Sequence, residues 1–191
     1  DYIRYPGSSH CFCPGCRERF EQLVGQTISA WPRDVRRGGV FYEKYLDFRR
    51  DNITLVVRSV AERARSIRPD IKISAAVFRS APADRDSVGQ DWQLWCEQGW
   101  LDFVCPMDYV DSTLIFKNLI TRQQQFVGKV PLYPGIGLSC WKDESNHPLK
   151  LCQQISAVRE AGLRGFTVFN FDAYAEHALP YVSLGATRSA E

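Results

Sequence analysis

Three aspartates stand where predicted strands end, and they are the first candidates for chemistry. Asp1 lies in the opening apolar segment, and Asp108 and Asp172 each close a later apolar run. In α/β proteins the loops at the carboxyl ends of parallel strands form the binding face. Two carboxylates that face one cleft suit glycosidic bond cleavage, in which one attacks or activates water and the other protonates the departing oxygen. The structural alternative is that each aspartate caps the following helix or pairs with an arginine such as Arg4.

Aromatic side chains at or just past the predicted strand ends indicate the same chemistry. Sugar rings present apolar C–H faces that stack on flat side chains, so aromatics at a binding face favour a carbohydrate ligand. The alternative for each aromatic is a place in the apolar core. Together with Arg4, the predicted substrate-binding residues are Tyr5, Tyr109, Tyr133 and Trp141.

Three of the seven cysteines fall in one short run, Cys11, Cys13 and Cys16. A Cys-x-Cys-x-x-Cys run brings three thiolates around one point, as a tetrahedral zinc site requires, and we expect a structural zinc rather than a catalytic one. The fourth ligand would come from upstream, or from Cys105 or Cys140. The alternatives are a disulfide with one free thiol, and buried cysteines without a metal. We expect no cofactor for catalysis.

The composition is that of an ordinary globular protein: 191 residues, 45% hydrophobic and 24% charged. It excludes a disordered tail, a collagen-like repeat and a coiled coil. With 24 Lys and Arg against 22 Asp and Glu, the net charge is only +2. This charge is too small for the positive electrostatic field that nucleic-acid binding requires. No apolar run approaches the ~20 residues that span a bilayer. We therefore expect a glycan as the partner, with no nucleic acid and no membrane span, and the oligomeric state stays open.

Apolar runs that fit buried strands alternate with helical patterns along the chain. After the opening segment 1–6, the predicted strands are 71–78, 101–109, 130–138 and 165–172. The predicted helices carry apolar residues between Ile53 and Ile67, Trp92 and Cys96, Ile115 and Phe126, and Leu151 and Val158, with a last helix over 174–184. Such alternation predicts a parallel sheet with helical crossovers.

Two α/β architectures fit this order of elements. A doubly wound open sheet would be complete at this length, but the first βα turn carries neither a Gly-x-Gly-x-x-Gly loop nor a P-loop. A whole (β/α)8 TIM barrel takes about 250 residues. Five βα units, the first with a Cys-rich insertion at about 7–45, would be strands four to eight of one. We predict an incomplete TIM barrel, with residues 1–191 as the C-terminal portion of a single catalytic domain.

The chain begins with Asp1 inside an apolar segment, so we interpret it as a processed or truncated piece. Any upstream targeting peptide would lie outside it. The localisation stays open, with export to the periplasm or the exterior as one option.

Four segments together resemble the glycosyl hydrolase-like family ten of TIM-barrel proteins, and they follow in the same order. They are residues 1–6 (Asp-Tyr-Ile-Arg-Tyr-Pro), 11–20, 48–53 and 100–109. In that family the first motif ends strand four, so the resemblance implies that strands one to three precede it. The cysteine run also resembles the zinc-binding Cys-x-Cys-x-x-Cys of family-42 β-galactosidases, in which the fourth cysteine lies upstream.

The resemblance implies roles for the three aspartates. The related α-galactosidase and α-amylase barrels carry a nucleophilic Asp at the end of strand four, and the former carry a general acid at the end of strand six. Asp1 therefore resembles the nucleophile and Asp108 the acid/base of a retaining glycoside hydrolase, with Asp172 in reserve for acid/base work or hydroxyl binding. The expected substrate is a polysaccharide or the glycan of peptidoglycan. The alternative is a non-catalytic carbohydrate-binding barrel.

Overall fold

A computed structural model describes residues 1–138, 141 and 147–186 of the chain. For residues 185 and 186 it describes the backbone only. Helices and short strands alternate through the described residues, as the hydrophobic pattern predicts. The helices are α1 (Pro14–Val24), α2 (Tyr42–Ile67), α3 (Ala81–Val88), α4 (Trp92–Glu97), α5 (Thr113–Gln123), α6 (His147–Glu160) and α7 (Ala173–Tyr181). The strands are β1 (Ser74–Val77), β2 (Phe103–Pro106), β3 (Gly135–Gly137) and β4 (Thr167–Phe169).

The strands pair in parallel, which confirms an α/β architecture with helical crossovers. β1 pairs with β2, with Ser74 opposite Phe103, and β3 pairs with β4, with Gly135 opposite Thr167. A single parallel bridge from Val104 to Leu132 connects the β1–β2 pair to the segment that leads into β3. Consecutive strands are therefore neighbours among the described residues, and their carboxyl ends lie at one edge.

The opening segment is not a strand, contrary to the prediction from its apolar residues. Its backbone bonds to the α3–α4 region instead of to a neighbouring strand. The N–H of Tyr5 donates to the carbonyl of Val88 at 2.9 Å, and the carbonyl of Ile3 accepts from the side-chain amide of Gln90 at 3.2 Å. Because a strand is defined by a hydrogen-bonded neighbour, this segment does not qualify.

Two predicted helices are confirmed at their ends. α2 ends at Ile67, two residues before Pro69, because the residue before a proline is disfavoured in a helix. α6 is followed by Gly162 in the left-handed conformation (φ 72°), and its Leu151, Ile155 and Val158 are buried as predicted. None of the helices in these described segments is both long and apolar enough to cross a membrane.

The buried face of α5 differs from the predicted one. Phe116 and Ile120 face the core, whereas Ile115 is 53% exposed. The spacing of Ile115, Leu119 and Phe126 predicts a buried stripe of these three residues, but Phe126 lies beyond the end of α5 at Gln123. The correct stripe therefore lies one residue further along the helix.

The Cys-rich insertion has an aromatic core of its own against the first turns of α2. Phe20 of α1 is fully buried between Tyr45 and Phe48, with ring centroids 4.8 and 5.4 Å away. The indole N–H of Trp31 donates to the carbonyl of Phe12 at 3.0 Å. These contacts fix the insertion beside the carboxyl end of the opening segment.

Candidate functional site

An aromatic platform lies at the carboxyl edge of the strands. Tyr109 follows β2, and its ring stacks on that of Phe169, the last residue of β4, with centroids 5.1 Å apart and planes inclined by 15°. Phe169 is 47% exposed and Phe171 is 78% exposed. Flat, accessible rings of this kind can take the C–H face of a sugar.

The glycines of β3 make room for the ring of Tyr109. A Cβ atom at Gly137 would lie 2.7 Å from Cγ of Tyr109, a distance that real Cβ atoms do not reach, so the ring position requires glycine there. A Cβ atom at Gly135 would lie 2.7 Å from the carbonyl oxygen of Pro106 and 3.0 Å from Cε1 of Tyr109, so this glycine is required mainly by the neighbouring backbone. The sequence Gly135-Ile136-Gly137 therefore positions Tyr109 across β3.

Asp108 is fully buried one residue before the platform. The side-chain amide of Gln123, on the buried face of α5, donates to Oδ1 at 2.6 Å. Burial raises the pKa of the Asp108 carboxyl to about 8, although Gln123 and the charge of Arg79 oppose the shift. The carboxyl group is therefore protonated at neutral pH.

The two oxygens of Asp108 differ in their surroundings. Oδ1 accepts from Gln123, whereas Oδ2 has no hydrogen-bond partner among the described residues. Oδ2 is therefore the oxygen that is open to a further partner. A protonated carboxyl at neutral pH is what a general acid requires, and its burial means that a substrate reaches it only if the surrounding loops move.

Asp1 does not lie with Asp108. It is exposed and lines a small cavity with Ile73, Ser74 and Leu101, at the amino end of the β1–β2 pair. Asp108 follows the carboxyl end of β2. The structure therefore places the two carboxylates beside opposite ends of these strands.

Asp172 caps α7, the structural alternative considered for strand-end aspartates. Its Oδ1 accepts from the backbone N–H groups of Tyr174 and Ala175 at 3.0 and 3.3 Å. The carboxylate satisfies two of the amides that the first turn of a helix leaves without partners.

Of the other predicted substrate-binding residues, Arg4 and Tyr5 lie near the carboxyl end of β1. The Arg4 guanidinium sits over the ring of Phe78, 4.5 Å from its centroid, and Phe78 follows β1 directly. The Tyr5 ring lies 4.6 Å from the guanidinium of Arg49, and burial raises the pKa of its hydroxyl. Both side chains are half-buried and belong to the same edge as Tyr109.

Neither Trp141 nor Tyr133 adds an exposed ring to the platform. Trp141 is buried in the core, and its indole N–H donates to the carbonyl of Val110 at 3.0 Å. The Tyr133 ring packs 5.1 Å from that of Phe103, at the amino end of β2. The sequence places both near strand ends, but it does not tell which end or which face each side chain takes.

Cys11, Cys13 and Cys16 form a cluster whose sulfur atoms all lie within 4.8 Å of one another. Tetrahedral zinc with Zn–S bonds of about 2.3 Å separates its sulfur ligands by about 3.8 Å, so a small contraction brings these three sulfurs onto one ion. All three are free thiols. Cys105 lies outside this cluster, and Cys140 lies outside the described residues.

The first turn of α1 favours a thiolate in this cluster. The backbone N–H of Cys16 is the main cause that lowers the pKa of Cys13 to about 7, with help from the thiol of Cys11. Burial, together with the neighbouring sulfurs of Cys13 and Cys11, raises the pKa of Cys16 to about 12. Three sulfur donors, one of them readily ionised, fit a zinc ion, which displaces the remaining thiol protons on binding.

Sequence reasoning missed Phe169, Phe171 and Gln123. The first two alternate at positions i and i+2 in a strand-like run, which is a signal for one shared face. Gln123 gives no local signal, because its partner Asp108 is distant in sequence.

Comparison with models of protein families gives a match over most of the chain. The family model described as glycosyl hydrolase-like 10 matches residues 2–135, more than two thirds of the chain, including the cysteine cluster, Asp108 and Tyr109. No curated protein matches the chain.

Proposed function

The chain belongs to the glycosyl hydrolase-like 10 family, and from that premise we propose that it is a glycoside hydrolase that cleaves a polysaccharide or the glycan of peptidoglycan. The platform of Tyr109 and Phe169 carries the proposal. It offers stacked, accessible aromatic surface at the edge where α/β enzymes bind substrate, one residue from a protonated carboxyl. Membership supports a carbohydrate-related role, and the platform supplies a place for the sugar.

Asp108 is the proposed general acid. A sugar on the platform would bring its glycosidic oxygen to the loop that follows β2, and a movement of this loop would let the carboxyl proton of Asp108 pass to the departing oxygen. The Gln123 amide holds Oδ1 and thereby orients the carboxyl group. After the transfer the carboxylate is left in a buried place, which favours its recovery of a proton from the attacking water.

A retaining route with Asp1 as the nucleophile stays a prediction. In a retaining enzyme the two catalytic carboxyl groups lie about 5–5.5 Å apart, and in an inverting enzyme they lie about 6.5–9.5 Å apart. Asp1 lies beside the amino end of β1, so this route requires the opening residues to move toward the platform. Asp172 stays in reserve, since capping occupies its Oδ1.

For the architecture we propose strands four to eight of a (β/α)8 barrel. Two observations support it: strands that are consecutive in sequence lie side by side in parallel, and the chain belongs to this family. In such a barrel the opening segment would be strand four and would pair with strand three.

The second candidate is a non-catalytic carbohydrate-binding protein. The cap made by Asp172 and the complete burial of Asp108 favour it, because the cap occupies Oδ1 of Asp172 and burial separates Asp108 from a ligand on the surface. The platform would then hold the glycan without cleaving it.

Release of reducing ends from a panel of polysaccharides and peptidoglycan glycan strands separates the two candidates. For a hydrolase we expect product with the native chain, a loss of about 10²–10⁴-fold in kcat for Asp108→Asn, and little change for Asp111→Asn. Asp111 is the matched control because it is a nearby, exposed aspartate paired with Lys150. Binding without product would support the second candidate.

We also propose a structural zinc ion held by Cys11, Cys13 and Cys16. The clustering of the three sulfurs supports it, and the ion would join the opening segment to α1. Elemental analysis of the purified chain should find one zinc per molecule. Its absence, together with a disulfide between two of the three cysteines, would reject the proposal.

A further inference from the structure

Arg49 of α2 is a buried cation without a carboxylate partner. Its side chain is 2% exposed, and its guanidinium donates to the backbone carbonyls of Gly7, Asp86 and Ser87 at 2.8–3.2 Å. Nε has no acceptor, and no carboxylate lies within 4.0 Å in the part of the chain that the structure describes. A buried charge without a counter-charge is costly, so this position is suited to an anion from outside.

Arg49 lines a cavity of about 480 Å³ between the insertion and α2. This volume is within the usual range of small-molecule sites. Two further arginines, Arg36 and Arg37, line the same cavity, and both are exposed and without an ion pair among the described residues. The lining includes no aspartate or glutamate. Three positive charges thus face one space without a negative one.

The other walls of the cavity include hydroxyl groups that can bind a sugar, those of Ser8 and Ser9. The ring of Phe12 is already covered, by the guanidinium of Arg36 at 4.9 Å and by the ring of Tyr45 at 5.6 Å. Arg49 connects the cavity to Tyr5, whose ring it contacts and which lies at the same edge of the strands as the platform.

We propose that this cavity binds the acidic group of a charged sugar unit, a uronate carboxylate or a sulfate ester, so that the glycan recognised by this protein is an anionic one. Arginine suits this task, because its planar fork donates two parallel hydrogen bonds to a carboxylate or a sulfate. The identification of the anion with a sugar substituent rests on the proposed function.

Calorimetric titration tests the proposal with three defined probes: an oligogalacturonate, the same oligosaccharide with its carboxyl groups reduced to alcohols, and a sulfated galactan oligosaccharide. We expect one acidic probe to bind at least tenfold more tightly than the neutral one. Arg36→Gln and Arg37→Gln should each weaken that binding by about threefold to tenfold. Whichever acidic probe binds identifies the acidic group as carboxylate or sulfate.

Lys44→Gln is the matched control, because this substitution removes one positive charge from the same region of the chain. It is exposed on α2 and does not line the cavity, whose α2 wall is made by Tyr42, Tyr45, Leu46 and Arg49. Equal affinity for the acidic and the neutral oligosaccharides would overturn the proposal. So would equal losses in the Lys44 and arginine variants, since the effect would then be one of net charge.

These titrations, together with the reducing-end assay, separate this inference from the proposed hydrolysis. Tight binding of an acidic probe without release of reducing ends from any glycan of the panel would support the anionic cavity and contradict the hydrolase. Cleavage of a neutral glycan, together with equal affinity for acidic and neutral probes, would support the hydrolase and contradict the anionic cavity. Neither result depends on Arg49 variants, in which the three backbone contacts would also be lost.

Discussion

The rings of Tyr109 and Phe169 stack at 5.1 Å although their strands, β2 and β4, are not paired with each other. The strand between them, β3, begins and ends with glycine, and a side chain on Gly137 would occupy the place of the Tyr109 ring. The aromatic surface thus extends across three strand ends instead of one. It adjoins both the protonated Asp108 and, along the same edge, Arg4 and Tyr5.

Phe169→Ala should weaken glycan binding about threefold to tenfold. The loss of one exposed aromatic partner removes about 0.5–1.5 kcal/mol of stacking. Affinity electrophoresis in gels that contain the bound polysaccharide measures the change. Tyr181→Ala is the control, because Tyr181 is similarly exposed on α7 and lies outside the platform. Equal retardation of Phe169→Ala and the native chain would remove the platform from the binding site.

Gly137→Ala should destabilise the chain by about 1–3 kcal/mol and also weaken binding. The new methyl group would lie 2.7 Å from the Tyr109 ring, which has to move. Urea unfolding gives the free energy. Gly7→Ala is the control, since nothing lies within 4 Å of its Cβ position and its φ is not positive, and we expect a change within about 0.5 kcal/mol. A Gly137→Ala variant as stable as the control would show that Tyr109 does not need this glycine.

The sequence predicted those elements whose signals are local. Pro69 ends α2 and Gly162 follows α6, because each acts on the backbone where it stands. The prediction of a strand in the opening segment was wrong for the opposite reason. The apolar residues of this segment fit a strand, but strand formation depends on a neighbour that a local pattern does not show. The predicted buried face of α5 was wrong because adjacent apolar residues, Ile115 and Phe116, allow two stripes.

The candidate site divides in the same way. The cysteine cluster and the cap by Asp172 follow from short spacings along the chain, so their residues could be named in advance. The protonated state of Asp108 depends on burial against Gln123, and the platform depends on glycines one strand away. These are tertiary relationships, and neither composition nor periodicity contains them.

Removal of zinc should lower the stability of the chain. If Cys11, Cys13 and Cys16 hold the ion, we expect a chelator to cost about 3 kcal/mol or more and to lower Tm by roughly 6–12 °C. Differential scanning calorimetry with and without chelator measures this. Cys13→Ser should lose the response, whereas Cys152→Ser, a free cysteine on α6, should keep it. The same response in both serine variants would place the metal elsewhere.

Replacement of Asp108 by asparagine should change the pH dependence of stability. In the folded chain burial holds the pKa near 8, whereas the ordinary value is 3.8, so the folded state carries one more proton between these limits. The contribution of Asp108 to the free energy of unfolding is complete below the ordinary pKa. It is lost as the pH rises toward the pKa of the folded chain, at up to about 1.4 kcal/mol per pH unit. Asparagine does not ionise, so the stability of Asp108→Asn relative to the native chain should increase as the pH rises.

Asp102→Asn provides the contrast that makes this trend specific. The backbone N–H of Ile73, with Arg65 and Lys72, lowers the pKa of Asp102, so its contribution is present above the ordinary value and is lost only as the pH falls through the depressed one. Urea unfolding at pH 5, 6, 7 and 8 should therefore show a constant loss for Asp102→Asn and a growing relative gain for Asp108→Asn. A flat difference for Asp108→Asn would mean that its carboxyl is ionised throughout this range. Asp108 would then lack the proton that a general acid must give.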